Sequence, residues 1–453
     1  MTIETVNPWS GRVEYRYAMM DGAAIEARLG AAAAAAPAWA AAPWAERAEL
    51  LVSVAQALRG ARAAIATVMA AEMGKLRREA LAEIEKSAAA CDYYAAHAPG
   101  YLAEQVIASD AARSYVRFAP LGCVLAVMPW NFPVWQVFRF LAPALAAGNV
   151  ALLKHATNVP RCADLIERVL ADAGAPAGVF GVLHIDNAQT AMVIGDARVH
   201  AVTLTGSERA GRSVAATAGA NLKKCVLELG GSDPFVVLAD ADLDAALPVA
   251  MSSRFGNAGQ TCIAAKRFIV VDAIADAFIE RLVAGARALV VGDPNDDAST
   301  LAPMARADLR SEIDRQVQAS IAAGARPLCG AEPLALPTGY PGTVLDQVGP
   351  GMPAYAEELF GPAAAVIRVR DEAEAARVAN DTRFGLGASV WTRDRERGEH
   401  FARGIDAGAV FVNALVRSDA RLPFGGTKAS GYGRELAEHG IREFMNIQSV
   451  YVG

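Results

Sequence analysis

The feature that most constrains the fold is an alternation of apolar strand patterns and helical patterns between residues 146 and 240. Four short apolar runs predict strands, at 150–154, 179–185, 201–205 and 225–229. Helices are predicted between them, at 159–171, at 190–195 and from near Ser207. Fully apolar strands that alternate with helices are typical of a parallel sheet covered on both faces. A second alternating region, 264–412, predicts another such layer, so the predicted fold class is α/β.

The N-terminal part of the chain is predicted to be helical. Residues 22–72 are rich in Ala, the strongest helix former, and Pro37 and Pro43 are expected to break this stretch into separate helices. A third helix is predicted at 76–96, ending before Pro99.

Three segments outside these regions have strand character. Ser114–Ala119 alternates between polar and apolar residues and predicts a strand, and Gly122–Met128 predicts a buried apolar strand. Phe444–Val452 also alternates. It predicts an edge strand that pairs either with Ser114–Ala119 or with another subunit.

Length and composition limit the class of protein. At 453 residues the chain is too long for one ordinary core, so two or three domains are expected. The net charge of -6 argues against nucleic acid as the main partner. No N-terminal signal pattern is found, and the longest apolar run, 141–153, is interrupted by Pro143 and Gly148, so neither secretion nor a membrane span is predicted. Six scattered cysteines without Cys-x-x-Cys spacing predict a reducing cytoplasm and no metal site.

The segment FGNAGQTC, which ends at Cys262, carries the strongest functional signal. A lone cysteine in such a protein is usually a buried core residue, but the Gly, Asn and Gln residues before Cys262 predict an exposed loop. A thiolate in such a loop could attack a carbonyl carbon. A cysteine hydrolase would also need an orienting His, and no motif marks any of the six histidines for that role.

Two polar residues that follow apolar strands could assist such a nucleophile. Glu228 precedes two glycines, and burial would raise the pKa of its carboxyl toward the range of a general base. A solvated strand end is the alternative. Asn131 lies in PWNFP, whose Pro133 is predicted to open a helix. Its amide could donate to an oxyanion together with the backbone N–H of Cys262, or it could simply cap that helix.

Strand ends also offer groups that could bind a dinucleotide. Gly206 and Ser207 lie between a predicted strand and the next helix, the context in which a pyrophosphate meets helix N–H groups. Lys154 ends an earlier strand and would bring a cation to the same sheet edge. The segment EELFGP offers Glu358 for ribose hydroxyls and Phe360 for a flat ring, with an acidic turn before a strand as the alternative.

Taken together, the motifs PWNFP, TGS-x-x-x-G, LELGG, GQTC, EELFGP and PFGG resemble the aldehyde dehydrogenase superfamily, in the right order along essentially the whole chain. The resemblance implies two Rossmann-type α/β domains plus a small β oligomerisation element, and a homodimer or homotetramer. It places the dinucleotide-binding domain at 1–109 and 124–230, the catalytic domain at 231–428, and the oligomerisation hairpin and tail at 110–123 and 429–453.

The resemblance also implies the roles of individual residues. Cys262 is the nucleophile, Glu228 the general base and Asn131 the oxyanion donor. Attack on an aldehyde would give a thiohemiacetal and then a thioester, which Glu228 helps water to hydrolyse. The residues placed around the dinucleotide are Trp130, Lys154, Gly206, Ser207, Leu229, Glu358 and Phe360.

Within the superfamily, WNFPVWQVFR and LELGGSDPF look most like bacterial succinate-semialdehyde dehydrogenases. The implied reaction is NAD(P)-dependent oxidation of succinate semialdehyde, a small aldehyde with a terminal carboxylate, to succinate. Arg139 stands where that activity's carboxylate-binding Arg is found, and Trp135 lies on the same face of the predicted helix. These two residues would bracket the substrate, unless Arg139 forms a structural salt bridge.

Three positions depart from relatives of this kind. Gly256 stands where some relatives have a second substrate-binding Arg, and Asp419 stands where a Ser often helps to bind the carboxylate. An ionised Asp419 would repel that carboxylate unless Arg417 or Arg421 neutralises it. Ala264 excludes the disulfide that some relatives form at that spacing.

Thr157 indicates the preferred cofactor. It occupies a position where NAD-preferring relatives often carry a Glu, which would repel a 2′-phosphate, whereas Thr can donate a hydrogen bond and Lys154 supplies charge. NADP is therefore the expected cofactor, with NAD also used. The second hypothesis is a broad-specificity aldehyde dehydrogenase. The third is a non-catalytic structural relative, which should lack Cys262 or Glu228.

Overall fold

The computed structural model describes residues 2–453, which form helices and strands arranged in four β-sheets. The strands, in chain order, are β1 Thr2–Val6, β2 Val13–Ala18, β3 Gln105–Val106, β4 Arg113–Pro120, β5 Cys123–Met128, β6 Val150–His155, β7 Phe180–Val182, β8 Val199–Thr205, β9 Lys224–Glu228, β10 Asp233–Val237, β11 Ala265–Val271, β12 Arg326–Cys329, β13 Thr343–Asp346, β14 Ala363–Val369, β15 Gly387–Trp391, β16 Ala409–Val412, β17 Gly431–Tyr432 and β18 Met445–Val452. The helices are α1 Gly22–Ala41, α2 Trp44–Met73, α3 Arg77–Leu102, α4 Trp135–Ala146, α5 Pro160–Asp172, α6 Asn187–Gly195, α7 Glu208–Ala220, α8 Leu243–Phe255, α9 Asp272–Arg287, α10 Ala307–Ala322, α11 Pro353–Ala356, α12 Glu372–Asn380, α13 Arg395–Arg403 and α14 Ala437–Glu443, with 3₁₀ turns at Gly256–Gly259 and Lys428–Ser430.

Six strands form the first sheet, in the order β17-β9-β8-β5-β6-β7. All neighbouring strands are parallel except β17, which runs antiparallel to β9. The parallel sheet predicted from the alternation at 146–240 is confirmed. Parallel strands end at the same edge of a sheet, so His155, Thr205 and Glu228 lie along one edge, with Thr205 directly opposite Glu228.

Seven strands form the second sheet, in the order β12-β13-β14-β11-β10-β15-β16, and only β12 is antiparallel to its neighbour. The chain passes from Glu228, at the carboxyl end of β9, through a short segment to Asp233, at the start of β10 in the other sheet. Cys262 precedes β11, the neighbour of β10. Both sheets therefore contribute to one region between them, which contains Glu228 on one side and Cys262 on the other.

The third sheet is antiparallel and has the strand order β18-β4-β3. β18 pairs with the whole length of β4, so the predicted pairing of the tail with Ser114–Ala119 is confirmed. Ile447 and Tyr451 on the edge strand β18 are exposed. The remaining sheet is the hairpin of β1 and β2.

Each large sheet is buried on both faces and has its own apolar core. The first core contains Leu125, Leu152 and Val202 from neighbouring strands, and the second contains Phe235 and Phe268. Burial on both faces explains why these strands are apolar at successive positions. No helix within residues 2–453 is both long enough and apolar enough to span a bilayer.

Two predicted helix breaks are absent, and one is present. α1 continues through Pro37 and α3 through Pro99, whereas α2 does begin after Pro43. Proline costs a backbone hydrogen bond in a helix. In both cases the residues after it still pack on the first core: Trp39 is buried in α1, and Leu102 is partly buried in α3. This packing outweighs the local preference of proline.

Other boundaries also differ from the prediction. α4 begins at Trp135 rather than at Pro133, with Val134 before its first residue. Cys123 is the first residue of β5 in the first sheet, not part of the three-stranded sheet. Gly431–Tyr432 likewise pairs with β9. The first sheet therefore takes one strand from residues that the resemblance assigns to the oligomerisation tail.

Candidate active site

The loop that carries Cys262 borders two cavities. The first cavity, of about 340 Å³, is lined by eight of the predicted site residues, namely Trp130, Asn131, Gly206, Ser207, Leu229, Cys262, Glu358 and Phe360. The second cavity, of about 390 Å³, is lined by Thr261 and Ile263 on either side of the cysteine, and by Lys86 and Trp135 from α3 and α4. The structure thus places the cysteine between a cavity formed by the predicted dinucleotide motifs and a cavity formed by the helices.

The prediction of an exposed loop before Cys262 is wrong, because residues 257–260 are buried. Buried contacts hold this loop in a fixed conformation. Asn257 and Ala258 both have a φ of 53°, a left-handed conformation that non-glycine residues rarely adopt. Arg254, at the end of α8, is fully buried and donates to the carbonyls of Gly259 and Gly361 at 2.7 and 2.9 Å. A Cβ at Gly259 would lie 2.4 Å from the Gly361 oxygen, so glycine is required there.

The surroundings of Cys262 favour its protonated thiol. Burial raises its pKa to about 11, against the opposing effect of the positive charges of Arg139 and Lys266. Lys266 Nζ donates to the Cys262 carbonyl at 2.6 Å and forms an ion pair with Glu358 at 3.1 Å. A nucleophilic thiolate therefore requires a base.

Glu228 has the properties of such a base. Its side chain is 2% exposed, and neither carboxyl oxygen has a hydrogen-bond partner among residues 2–453. Burial raises the pKa of Glu228 well above its usual range, the negative charge of Glu435 raises it further, and Arg139 opposes both effects. A Cβ at Gly425 would lie 2.7 Å from Glu228 Oε1, so glycine leaves room for the carboxyl. The alternative of a solvated strand end is wrong.

Asn131 is buried and fixed by its neighbours. Its side-chain Nδ2 donates to the backbone carbonyl of Gln260 at 2.9 Å, and its backbone carbonyl accepts from Lys75 Nζ at 2.8 Å. The alternative role as a cap of α4 is wrong, because Val134 precedes the helix. The backbone N–H groups of Val134 and Trp135 donate instead to Glu83 Oε1, at 2.8 and 3.0 Å. One hydrogen of the Asn131 amide is thus left for another acceptor.

The first cavity is lined by groups that could bind parts of a dinucleotide. Ser207 caps α7 and accepts from Ala210 N at 3.4 Å, so the first turn of this 13-residue helix faces the cavity region. Helix N–H groups there can bind phosphate oxygens. A Cβ at Gly230 would lie 2.2 Å from Glu358 Oε2, so glycine lets the carboxylate of Glu358 approach the strand end. Glu358 Oε1 also accepts from the backbone of Gly231 at 3.1 Å.

Aromatic and strand-end residues complete this site. The rings of Trp130 and Phe360 pack edge to face, with their centroids 5.8 Å apart. Lys154 lies at the end of β6, and burial lowers the pKa of its amine. Thr157 is exposed in the turn just after β6. Lys154 and Thr157 lie at the same edge of the sheet as Ser207, but outside the lining of the first cavity.

The prediction that Arg139 contacts the substrate is not supported by its position. Arg139 is 2% exposed and lines neither cavity. Its Nε forms an ion pair with Glu435, its Nη2 donates to Thr205 Oγ1 at 3.0 Å, and its guanidinium lies 4.7 Å from the centre of the Phe424 ring. Burial alone would lower the pKa of Arg139, but the negative charges of Glu435, Glu228 and Cys262 together outweigh it and raise the pKa. The alternative stated above, a structural salt bridge, is what the structure shows.

The other two predicted substrate residues lie close to the second cavity. Trp135 lines it, and its Nε1 donates to Ser418 Oγ at 3.1 Å. Asp419 does not line it and is paired with Arg421 at 2.6 Å. This pairing lowers the pKa of Asp419 to about 2. Arg421 is therefore the residue that neutralises Asp419, which removes the repulsion expected from an unpaired carboxylate.

Several residues of the site carry no local sequence signal. Glu435 contacts Arg139 from a distant part of the chain, and Lys266 reaches the Cys262 loop from β11. Lys86 lies on α3, in a mixed-charge stretch where a lysine looks like an ordinary surface residue. Only spatial contacts between distant segments identify these three.

Comparisons with known proteins place the chain in a family. Residues 1–450 match the model of the aldehyde dehydrogenase family. The chain is 47% identical to the probable NADP(+) succinate-semialdehyde dehydrogenase of Synechocystis sp. over 453 residues, which cover the whole of both chains. It is 50% identical to the NAD(P)+ succinate semialdehyde dehydrogenase of Escherichia coli over 406 residues, 89% of this chain and 88% of the relative. The crystal structure of succinic semialdehyde dehydrogenase from Streptococcus pyogenes in complex with NADP+ superposes with a TM-score of 0.97, at 38% identity over 99% of both chains. The chain belongs to the aldehyde dehydrogenase family.

Proposed function

We propose that the protein oxidises succinate semialdehyde to succinate, with NADP as the preferred cofactor and NAD as an alternative. The observation that carries the proposal is the position of Cys262 between two cavities, close to the strand end where Glu228 is buried without a partner. The relatives from Synechocystis and Escherichia coli are both named for this substrate, and their names specify NADP(+) and NAD(P)+.

In the first stage, the Cys262 sulfur bonds to the aldehyde carbon while Glu228 takes the thiol proton, directly or through a water. The carbonyl oxygen becomes an oxyanion, and the free hydrogen of the Asn131 amide can donate to it. A bound oxidised nicotinamide would supply the acceptor for the hydride that this carbon loses, and the loss of hydride leaves a thioester on Cys262.

Before the second stage, Glu228 releases the thiol proton to solvent. It then removes a proton from a water that attacks the thioester. The carbon–sulfur bond breaks, the carboxylic acid leaves, and the Cys262 sulfur takes a proton back from Glu228. The raised pKa of Glu228 makes its ionised form a stronger base than an ordinary carboxylate. Both stages use the same two side chains, Glu228 at the carboxyl end of β9 and Cys262 in the loop before β11.

The cofactor would be held by residues at the carboxyl edge of the first sheet. The N–H groups after Ser207 would bind the pyrophosphate, and Glu358 would accept from ribose hydroxyls. Lys154 and Thr157 would surround the adenosine ribose. An exposed Thr157 adds no negative charge there, so it is compatible with a 2′-phosphate.

A broad-specificity aldehyde dehydrogenase is the second candidate, because Arg139 does not line the second cavity. A homodimer or homotetramer remains a prediction, supported by the exposed side chains of Ile447 and Tyr451 on the edge strand β18. A cytoplasmic location also remains a prediction. It is supported by the six cysteines, all of which have free thiols.

The test is a panel of aldehydes with and without a terminal carboxylate, each assayed with NADP and with NAD. We expect the highest kcat/KM for succinate semialdehyde with NADP. The matched neutral substrate is butanal, which has the same number of carbons. Equal kcat/KM values for the two aldehydes would refute the proposed substrate and favour broad specificity.

A further inference from the structure

The charged residues that line the second cavity are almost all compensated. Lys75 is ion-paired with Glu83, and both are buried. Burial raises the pKa of Glu79, whose Oε1 accepts from the backbone N–H of Asn257 at 2.9 Å, so this carboxyl is biased toward its neutral form. Lys86 is the remaining charged residue of the lining, and no carboxylate among residues 2–453 lies within ion-pair distance of it.

Two neighbours hold the ammonium group of Lys86 in place. Its Nζ donates to Ser418 Oγ at 2.8 Å and lies 4.2 Å from the centre of the Trp135 ring. Ser418 Oγ also accepts from Trp135 Nε1 at 3.1 Å. An ammonium group has three hydrogens, and only one is used by Ser418. The other two are free for a ligand in the cavity.

We infer that Lys86 binds the terminal carboxylate of the aldehyde substrate and thereby selects it. This inference rests on the proposed function and names the residue that gives it specificity. The ring of Trp135 and that of Phe132, which also lines the cavity, would contact the methylene groups between the aldehyde and the carboxylate. Lys86 would take the role that the resemblance assigns to Arg139, because Arg139 is already paired with Glu435.

The main test compares Lys86→Met with the wild-type enzyme on succinate semialdehyde and on butanal. The variant loses the free energy of a hydrogen bond to a charged group. We therefore expect kcat/KM for succinate semialdehyde to fall by roughly 10- to 100-fold. The kcat/KM for butanal should stay within about twofold of the wild-type value, since an uncharged chain makes no ionic contact with the amine. Lys86→Arg, which keeps the charge, should retain part of the preference. The matched control is Lys224→Met, which removes an exposed lysine at the other end of β9 from Glu228. Its partner Glu443 influences Glu228 equally for both aldehydes, so the ratio of the two kcat/KM values should not change.

A second measurement needs no variant. Burial lowers the pKa of Lys86 to about 8, with Arg139 and Arg417 lowering it further and Glu83 and Asp419 opposing them. The charged amine is present below this pKa and is lost above it. The ratio of kcat/KM for succinate semialdehyde to that for butanal should therefore be high at pH 7 and decline as the pH rises through about 8. The pH dependence of Cys262 is common to both aldehydes and cancels in the ratio.

The outcomes separate this inference from the proposed function. Two results together support the role of Lys86. One is a loss of kcat/KM in Lys86→Met that is confined to succinate semialdehyde. The other is a decline with pH, in the wild type, of the ratio of kcat/KM for succinate semialdehyde to that for butanal. Equal losses for both aldehydes, or no loss, would overturn this role while leaving the proposed substrate intact. A wild-type enzyme that does not prefer succinate semialdehyde would refute the proposed function, and the role of Lys86 with it. If Lys86→Met does not fold, a ratio that is constant from pH 7 to 9 refutes the inference by itself.

Discussion

Replacing Arg139 with methionine would test whether this residue is structural or binds substrate. The substitution removes the charge but keeps an unbranched apolar side chain of similar length. Glu435 would then be a buried carboxylate without its partner, at 3% exposure of its side chain. The variant also lacks the positive charge that lowers the pKa of Cys262 and of Glu228 in the wild type.

The expected cost follows from the burial of the pair. Breaking a buried ion pair by removing one partner costs about 3–5 kcal/mol. At about 2 cal/mol/K for each residue, the unfolding entropy of a chain of this length is roughly 1 kcal/mol/K. The melting temperature of Arg139→Met should therefore fall by about 3–5 °C. In the double variant Arg139→Met/Glu435→Leu the unpaired carboxylate is gone, and most of this loss should be recovered.

The assay combines thermal unfolding with kinetics at pH 7. We expect kcat/KM for succinate semialdehyde and for butanal to fall by the same factor, since a higher thiol pKa slows attack on either aldehyde. The matched comparison is Arg421→Met, which breaks a pair whose arginine side chain is 68% exposed and whose Asp419 side chain is 16% exposed. It should lower the melting temperature by less than about 1 °C. An unchanged melting temperature with a loss confined to succinate semialdehyde would refute the reasoning and return the carboxylate site to Arg139.

Three further predictions concern catalysis and the cofactor. Cys262→Ala should abolish turnover. Glu228→Gln should keep a first-turnover burst of reduced cofactor in a stopped-flow assay but lower steady-state turnover by about 100-fold or more. Near-wild-type steady-state turnover in either variant would contradict the mechanism. Thr157→Glu should lower the ratio of kcat/KM with NADP to kcat/KM with NAD by at least about 10-fold, because a carboxylate would face the 2′-phosphate. An unchanged ratio would mean that the adenosine ribose binds elsewhere. Because burial raises the pKa of Glu228 well above its usual range and only the ionised carboxylate can take the thiol proton of Cys262, kcat/KM for butanal should still be rising above about pH 6, and a plateau that begins at about pH 5.5 would contradict a raised pKa.

The sequence predicted those parts of the site that depend on neighbouring residues. The apolar strands and the glycines around them place Glu228 and Gly206 at strand ends, and the Gly-rich segment before Cys262 marks its loop. The parallel sheet follows from the same periodicity. These features are local, so a short window of sequence contains them.

The parts that were missed depend on contacts between distant segments. Arg139 has the spacing of a substrate residue, but its partner Glu435 comes from a part of the chain with no recognisable motif. Pro37 and Pro99 carry a local preference against helix that tertiary packing overrides. Lys86 is distinguished from a surface lysine only by its cavity.

The surroundings of Glu228 are completed by a segment synthesised much later than β9. Gly425 packs on its carboxyl, Gly431 pairs with it in the sheet, and Glu435 lies beside it. The hydrogen bond from Ser430 to the Gly230 carbonyl joins residues 200 positions apart. A nascent chain therefore cannot enclose its general base until residues 425–435 have been synthesised.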